Sequence, residues 1–257
     1  MSGFSALVLA GSRGGPDPVA DYAGVPHKAL IEVEGRPLLT RVAEALRAAG
    51  AERIAVSCNH PAVDALARTL GLEVLTSATG PSQSVLEGAG SLGFPLLVTT
   101  ADHALLQPGW ITRFLADVPA GTDVAAMVAP RAAVEAAAPG TQRTYLRLAD
   151  GHWSGCNLFW LAEEQALGAV AFWRRLEAER KRPWRMARIL GLGMLLKYAT
   201  GRLSLAGAAQ RLGELAGVTA RIVPTPYGLA AVDVDKPADL DLVRQLTTPA
   251  QDVPAEA

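Results

Sequence analysis

The most informative segment of the chain is Leu7-Val-Leu-Ala-Gly-Ser-Arg-Gly-Gly-Pro16, which continues through Val25-Pro-His-Lys-Ala-Leu30. Its apolar part predicts a buried strand over residues 6–10 that leads into a glycine-rich loop. Small residues let backbone N–H groups approach phosphate oxygens. Lys28 offers a compact positive charge for those oxygens, and the planar guanidinium of Arg13 could bind two of them at once. The loop lacks the Gly-Lys-Ser/Thr end of a P-loop and the GxGxxG pattern of dinucleotide-binding proteins. It therefore predicts a phosphate-binding loop of another type, the alternative being a plain connection with a surface lysine.

Short apolar runs alternate with amphipathic segments through the first half of the chain. We expect strands at residues 6–10, 53–58, 73–76, 96–100 and 123–128. We expect helices at residues 37–49, 61–70, 83–92 and 108–115. This alternation is typical of βαβ units and a mostly parallel sheet, in which ligands bind at the carboxyl ends of the strands.

The pattern changes after residue 130. Residues 132–139 are alanine-rich, and residues 144–148 and 157–161 are candidate antiparallel strands around a turn at Asp150-Gly151. Residues 163–216 are almost entirely helical in pattern, and strands return at 220–223 and 229–234 before a helix that follows Pro237. We expect one domain over residues 1–246, with a helical insertion at about 163–216 and a flexible tail over 247–257.

Composition excludes several classes of protein. Half of the 257 residues are hydrophobic, which allows a sizeable core, and the formal net charge is −1. Because duplex-binding proteins usually carry a basic excess, we expect no nucleic-acid partner. The two cysteines have no metal-ligand spacing, and no apolar run is long enough for a signal peptide or a bilayer span. We expect a cytoplasmic protein.

The loop resembles that of the MobA-like nucleotidyltransferases, the family of molybdenum-cofactor guanylyltransferase. The matching motifs are Leu9-Ala10-Gly11, Arg13, Lys28-Ala29-Leu30 and Gly35-Arg36-Pro37-Leu38-Leu39. Ser12 stands where the family usually has a second glycine, and the loop from 11 to 28 is longer. The resemblance implies a Rossmann-like three-layer nucleotidyltransferase (GT-A-like) α/β fold with catalytic roles for Arg13 and Lys28. It also implies contacts with a nucleoside triphosphate at Leu9, Ala10, Gly11, Ser12, Arg13 and Lys28.

Two acidic segments are candidates for a Mg²⁺ site. Leu96-Leu-Val-Thr-Thr-Ala-Asp102 is an apolar strand that ends in a carboxylate. Asp102 either binds the metal and acts in catalysis, as the resemblance implies, or caps the helix near residue 108. The second segment, Val232-Asp-Val-Asp-Lys-Pro-Ala-Asp-Leu240, resembles the family's other metal motif, with Asp235 as first candidate and Asp233 as second. We expect Asp239 and Asp241 to be first-turn helix charges.

Three further segments are candidates for contacts with the nucleoside and the acceptor. Gly80-Pro-Ser-Gln-Ser-Val-Leu-Glu-Gly88 resembles the family's nucleoside segment, which implies contacts from Ser82 and Ser84, although helix capping by Ser82 explains it nearly as well. Asn59 follows the second strand and is a weaker candidate for the base. Asn157 lies in a segment that resembles the family's acceptor side, and it is otherwise a turn residue. The four histidines lie near no nucleophile in a triad-like pattern, so we expect no covalent catalysis.

The helical insertion carries Trp173, Trp184 and the basic run Arg180-Lys181-Arg182. A basic amphipathic helix can lie on a membrane surface or bind a phosphorylated acceptor, in which case a lipid-linked acceptor becomes a candidate. The interpretation that we favour is a capping or dimerising helical pair with a solvated charge run. A homodimer and a peripheral membrane contact both stay open, and the membrane contact is the less favoured.

Together these features predict a Mg²⁺-dependent nucleotidyltransferase. It would move the nucleotidyl group of a nucleoside triphosphate to a phosphorylated acceptor, small or lipid-linked, with release of pyrophosphate. The acceptor brings its own ionised nucleophile, so catalysis needs positioning and electrostatic stabilisation rather than a protein base. The alternatives are a nucleotide-sugar-dependent glycosyltransferase on a similar fold and a non-catalytic nucleotide-binding regulator.

Overall fold

The computed structural model describes residues 3–12, 14–179 and 182–248 of the 257-residue chain. Its strands are β1 Phe4–Ala10, β2 Glu32–Val33, β3 Arg36–Pro37, β4 Ala51–Cys58, β5 Glu73–Thr76, β6 Leu96–Thr100, β7 Val124–Pro130, β8 Leu146–Leu148, β9 Gly151–Leu161 and β10 Ala220–Pro224. Its α-helices are α1 Pro18–Ala23, α2 Leu38–Ala48, α3 Pro61–Thr69, α4 Pro81–Leu92, α5 Pro108–Asp117, α6 Arg131–Ala137, α7 Leu167–Glu179, α8 Pro183–Leu190, α9 Leu192–Ala199, α10 Leu205–Ala216 and α11 Pro237–Thr247. Short 3₁₀ helices are Lys28–Leu30, Glu164–Ala166 and Gly228–Ala231.

Within the described residues, eight strands form one sheet in the order β10-β7-β9-β6-β1-β4-β5, with β8 beside β9. β1 pairs in parallel with β4 and β6, β4 pairs in parallel with β5, and β10 pairs in parallel with β7. β9 runs antiparallel between β6 and β7. The predicted α/β class with a mostly parallel sheet is therefore confirmed.

Side chains of β1 alternate between two buried layers. Ala6 and Val8 belong to a core cluster that also holds residues of α2 and α3, whereas Leu7 packs with Val85 and other residues of α4. A strand buried on both faces has a continuous apolar run, which is the pattern that β1 shows. At Gly88 of α4, an added Cβ atom would lie 2.5 Å from Leu7 Cδ2, so the helix packs tightly on the strand there. The two helix layers fix the carboxyl end of β1.

The long loop after β1 contains a helix that the sequence did not predict. Asp17 caps α1 by accepting a hydrogen bond from Val19 N at 3.2 Å. Val19 is buried in a cluster with Ile31 and with Leu240 of α11. This packing ties the second half of the loop to α11, and it thereby positions Lys28.

The sequence predicts some elements correctly and one wrongly. The strands predicted at 73–76 and 96–100 have the observed bounds of β5 and β6. The strand predicted at 229–234 is wrong, because its first half forms the 3₁₀ helix Gly228–Ala231. Gly228 lies so close to α6 that an added Cβ would be 2.0 Å from Ala133 O, and Val234 N donates to Asp102 O at 3.1 Å instead of joining a strand ladder.

The predicted domain limits remain predictions. Residues 164–216 hold a 3₁₀ helix and α7 to α10, in the region where the helical insertion is predicted. Residues 249–257 of the predicted tail lie outside the described residues. None of the described helices combines the length and the apolar character that crossing a membrane requires.

Candidate active site

The carboxyl ends of β1 and β6 lie side by side at one edge of the sheet. Leu9 pairs with Thr100, and Leu9 O accepts a hydrogen bond from Ala101 N at 3.0 Å. β1 continues through Ala10 into the glycine-rich loop, and β6 continues to Asp102. The parallel pairing therefore brings the predicted phosphate loop and the first predicted carboxylate to the same place.

Lys28 joins the two acidic segments. Its Nζ donates to Asp102 Oδ2 and, at 3.1 Å, to Asp235 Oδ1. Burial opposes the positive charge, but the two carboxylates outweigh it, so the pKa of Lys28 is raised above its ordinary value. Lys28 is therefore a permanently charged group held between two predicted metal ligands.

Asp102 is a buried carboxylate with one oxygen unpaired. Its Oδ2 contacts Lys28, whereas its Oδ1 is buried and has no hydrogen-bond partner among the described residues. A buried carboxylate oxygen without a donor is unfavourable, and a bound cation relieves it. The alternative interpretation of Asp102 as a helix cap is wrong, because Gln107 is the N-cap residue of α5.

The two aspartates of the second acidic segment have different partners. The Asp235 side chain is 55% exposed and contacts Lys28. Asp233 accepts hydrogen bonds from Arg143 Nη1 and, at 2.8 Å, from Asn157 Nδ2. Burial, together with neighbouring carboxylates, raises the pKa of Asp233, and Arg143 and Asn157 act in the opposite direction. The choice of metal ligand stays a prediction, and the contact with Lys28 favours Asp235.

Arg143 is a residue of this site that sequence reasoning missed. Its buried guanidinium contacts Asp233 and also donates to Asp239 Oδ1 at 2.6 Å. Asp239 Oδ2 accepts from Lys236 N at 2.9 Å in the first turn of α11, where a helix charge is expected. Arg143 thus holds the segment that carries Asp235. No local pattern signals this role, because its carboxylate partners lie 90 or more positions away.

Asn59 and Ser12 hold the start of the loop against the end of β4. Ser12 N donates to Asn59 Oδ1 at 3.0 Å, and Asn59 Nδ2 donates to Ser12 O at 2.8 Å. At Gly11 an added Cβ would lie 2.1 Å from Ser77 Oγ and 3.1 Å from Ser77 Cβ, so a larger residue fits only if the Ser77 side chain moves. Arg13 lies outside the described residues, and its role stays a prediction. The predicted contact of Asn59 with the base also stays a prediction, since the amide is engaged by the loop.

The predicted nucleoside segment forms the first turns of α4. Ser84 Oγ accepts a hydrogen bond from Ala78 N at 3.0 Å, and Ser82 Oγ donates to Glu177 Oε2 of α7 at 2.6 Å. The capping role considered for Ser82 is wrong, because Gly80 is the N-cap residue. The helical insertion therefore contacts the segment that is predicted to bind the nucleoside, through Ser82.

Asn157 has an unusual backbone conformation. Its φ is 48°, in the left-handed region that non-glycine residues rarely adopt and that asparagine tolerates better than most. Its side chain donates to Asp233, so the amide belongs to the same polar cluster as the second acidic segment. Its predicted contact with the acceptor stays a prediction.

The histidines near the site have local roles. His27 Nδ1 accepts from Ala29 N at 3.1 Å, and burial, with His60 5.7 Å away between ring centroids, lowers its pKa. His103 is buried, and burial lowers its pKa to about 4. Over the described part of the chain, no group of three or more His, Cys, Asp or Glu is arranged to hold a metal.

Comparisons of sequence identify relatives over parts of the chain. The sequence profile of the MobA-like NTP transferase domain matches residues 6–182. The 3-deoxy-manno-octulosonate cytidylyltransferase of Neisseria gonorrhoeae is 30% identical over 100 residues, which are 36% of this chain and 40% of that protein. The chain thus spans less than half the length of this curated relative.

Comparisons of structure extend over nearly the whole chain. A hypothetical transferase from Thermus thermophilus is 35% identical, with a TM-score of 0.79, over 92% of this chain and 98% of that one. The CTP:phosphocholine cytidylyltransferase of Streptococcus pneumoniae is 13% identical, with a TM-score of 0.58, over 95% and 99% of the two chains. The second likeness concerns the fold alone. The predicted Rossmann-like nucleotidyltransferase fold is confirmed.

Proposed function

The chain belongs to the MobA-like NTP transferase domain family, and we propose that it transfers a nucleotidyl group from a nucleoside triphosphate to a phosphorylated acceptor with release of pyrophosphate. The observation that carries this proposal is the meeting of Lys28 with Asp102 and Asp235 at the carboxyl edge of the sheet. A triphosphate requires positive charge for its oxygens and carboxylates for the accompanying metal. These three side chains supply both.

Mg²⁺ is the metal that fits these residues. Carboxylate oxygens are the hard ligands that it prefers, and Asp102 Oδ1 is buried without a donor among the described residues. Asp102 and Asp235 would hold the ion, with Asp233 as the alternative to Asp235. Bound there, Mg²⁺ would neutralise negative charge on the triphosphate.

Lys28 is the catalytic residue with the strongest support. Its carboxylate partners raise its pKa, so it keeps its proton, and its side chain is 27% exposed. An ammonium group on a flexible stem can turn from the carboxylates to phosphate oxygens when the nucleotide binds. There it would stabilise the negative charge that develops on the leaving pyrophosphate, with Arg13 as a second predicted cation.

The acceptor supplies its own nucleophile. An ionised phosphate oxygen of the acceptor forms a bond to the α-phosphorus, and the bond from that phosphorus to the bridging oxygen of pyrophosphate breaks. No proton leaves the nucleophile, so no protein base is needed, and the protein contributes orientation and charge. We propose that Ser82 and Ser84 contact the nucleoside, that backbone N–H groups of the loop at Ser12 contact the phosphates, and that Asn157 contacts the acceptor.

Pyrophosphate release tests the proposed function. CTP, which the name of the Streptococcus pneumoniae protein contains, is tested first with Mg²⁺, followed by GTP, UTP and ATP, each against a panel of phosphorylated acceptors. We expect release with one pair of substrates and loss of release in Asp102→Asn. The control is Asp241→Asn, which changes a carboxylate of α11 that accepts a hydrogen bond from Tyr22.

Two outcomes would contradict the proposal. If Asp102→Asn released pyrophosphate at the wild-type rate, the carboxylate edge would not be the reacting site. If the protein transferred sugar from a nucleotide sugar and released no pyrophosphate with any pair, it would be a glycosyltransferase.

A further inference from the structure

The helices α8 and α9 leave apolar side chains on the surface. No residue of α9 is buried, and Leu192 and Leu196, one turn apart, are 81% and 66% exposed. In α8, Trp184 is 58% exposed. Single exposed apolar residues are ordinary, but several on two consecutive helices indicate a surface that binds a partner.

The same segment is strongly basic. Residues 180–213 contain eight Arg or Lys and no Asp or Glu, although the whole chain has a formal net charge of −1. Within the described residues, Arg188, Lys197 and Arg202 form no salt bridge. The segment therefore presents a positive field that acidic groups of the chain neutralise only in part.

Trp184 is an exposed apolar side chain that also lies against basic side chains. The guanidinium carbons of Arg185 and Arg188 lie 5.0 and 5.8 Å from the centre of its rings. A tryptophan flanked by cations is typical of the boundary between hydrocarbon and polar headgroups, where the ring is buried and the charges stay hydrated. The partner of this surface is therefore expected to be apolar and anionic at once.

A cleft of about 360 Å³ lies beside α9. It is lined by Lys197, Arg202 and Arg211, and by Glu214, which pairs with Arg211 at 3.2 Å. Three cations against one carboxylate leave a net positive charge that suits a phosphate group. The cleft thus agrees in charge with the helix surface next to it.

We propose that α8 and α9 bind the surface of a bilayer that contains anionic phospholipid. Leu192, Leu196 and Trp184 enter the interface, while the basic side chains contact the headgroups. Each helix has eight residues and is about 12 Å long, so the contact stays within the interface. A second copy of the chain is a poorer occupant, because two apposed copies of this surface bring like charges together.

Sedimentation of the full chain with vesicles tests this proposal, independently of nucleotidyl transfer. Phosphatidylcholine vesicles are compared with vesicles in which phosphatidylglycerol replaces part of the phosphatidylcholine. We expect binding to the mixed vesicles alone, and weaker binding as salt is added. Arg188→Glu/Arg202→Glu binds at least about tenfold more weakly, since one basic residue near an anionic membrane contributes roughly a factor of five. Leu192→Ser/Leu196→Ser also binds at least about tenfold more weakly, because two apolar side chains no longer enter the interface.

Two matched variants serve as controls. Leu146→Ser removes an exposed leucine of β8, and Arg221→Glu reverses an exposed charge of β10, so both retain wild-type binding. All the substituted side chains are exposed, and circular dichroism checks that each variant is folded. No binding to the mixed vesicles at low salt overturns the proposal, as does equal binding of the wild type and the helix variants. A wild-type dimer that Leu192→Ser/Leu196→Ser converts to a monomer in light scattering assigns the surface to a second copy and also overturns it.

Discussion

The candidate site pairs its cations with carboxylates of the chain, whereas the surface of α8 and α9 leaves several cations without such partners in the described part of the chain. At the site, Lys28 lies between two carboxylates, and Arg143 lies between Asp233 and Asp239. On α8 and α9, Arg188 and Lys197 have no carboxylate partner among the described residues, and leucines beside them are exposed. The cations of the site are paired within the chain, so the site can hold a fixed geometry for a small ligand, and Asp102 Oδ1 is left for a metal ion. The helix surface leaves its charge and its apolar area unsatisfied, so it depends on a partner outside the chain.

The largest effect on stability is expected at Arg143. Arg143→Leu leaves the carboxylates of Asp233 and Asp239 without their cation, which should lower the free energy of unfolding by about 3–5 kcal/mol. Urea unfolding at neutral pH measures it. Arg68→Leu is the matched control, because it removes an exposed pair with Asp64 on α3 and should cost less than about 1 kcal/mol. Equal losses in the two variants would mean that the buried pairs do not hold the site together.

Burial of neutral His103 should make the free energy of unfolding depend on pH. Its pKa is lowered from 6.5 to about 4, so the unfolded chain takes up a proton on His103 below pH 6.5 and the folded chain does not. Stability is therefore lost as the pH falls from 6.5 to about 4, by up to roughly 3 kcal/mol for this residue. Urea unfolding of the wild type and of His103→Gln at several pH values isolates the contribution. An equally steep loss in the variant would contradict it.

Substitution of Asp235 is expected to lower mainly activity, and substitution of Asp233 mainly the free energy of unfolding. Asp235→Asn should lower kcat/KM for pyrophosphate release on the order of a hundredfold with little change in stability, because its side chain is exposed and faces Lys28. Asp233→Asn should lower the free energy of unfolding by about 1–3 kcal/mol, because Arg143 loses an ionised acceptor. Measurements of kcat/KM and of urea unfolding on both variants test this difference. A larger loss of activity in Asp233→Asn would make Asp233 the metal ligand.

The smallest effect is expected on the helix surface. Leu192→Ser removes a side chain that packs against little, so the free energy of unfolding should change by less than about 0.5 kcal/mol. Urea unfolding without vesicles measures this. A loss of more than about 2 kcal/mol would mean that the leucine is buried within the free protein, and the contrast between the two regions would then fail.

The sequence predicts what depends on short patterns and misses what depends on distant contacts. β5 runs from the charged Glu73 to Thr76, and β6 begins directly after Pro95 and ends at Thr100, so local residues mark the limits of both strands. Val232 and Val234 alternate as in a strand, but the close approach of Gly228 to Ala133 turns the preceding segment into a 3₁₀ helix. Arg143 is a lone arginine in a loop, and only tertiary packing reveals its partners.

The central claim is that Lys28 and Asp102 serve the same nucleotidyl transfer, Lys28 through its charge and Asp102 through the metal, and a double-mutant comparison tests it most directly. The measured quantity is kcat/KM for pyrophosphate release by the wild type, Lys28→Met, Asp102→Asn and the double variant, each checked for folding by circular dichroism. We predict that each single variant loses on the order of a hundredfold to a thousandfold and that the double variant loses little more than either, because groups that act together are not additive. Losses that multiply in the double variant, or a single variant with wild-type kcat/KM, would contradict the account.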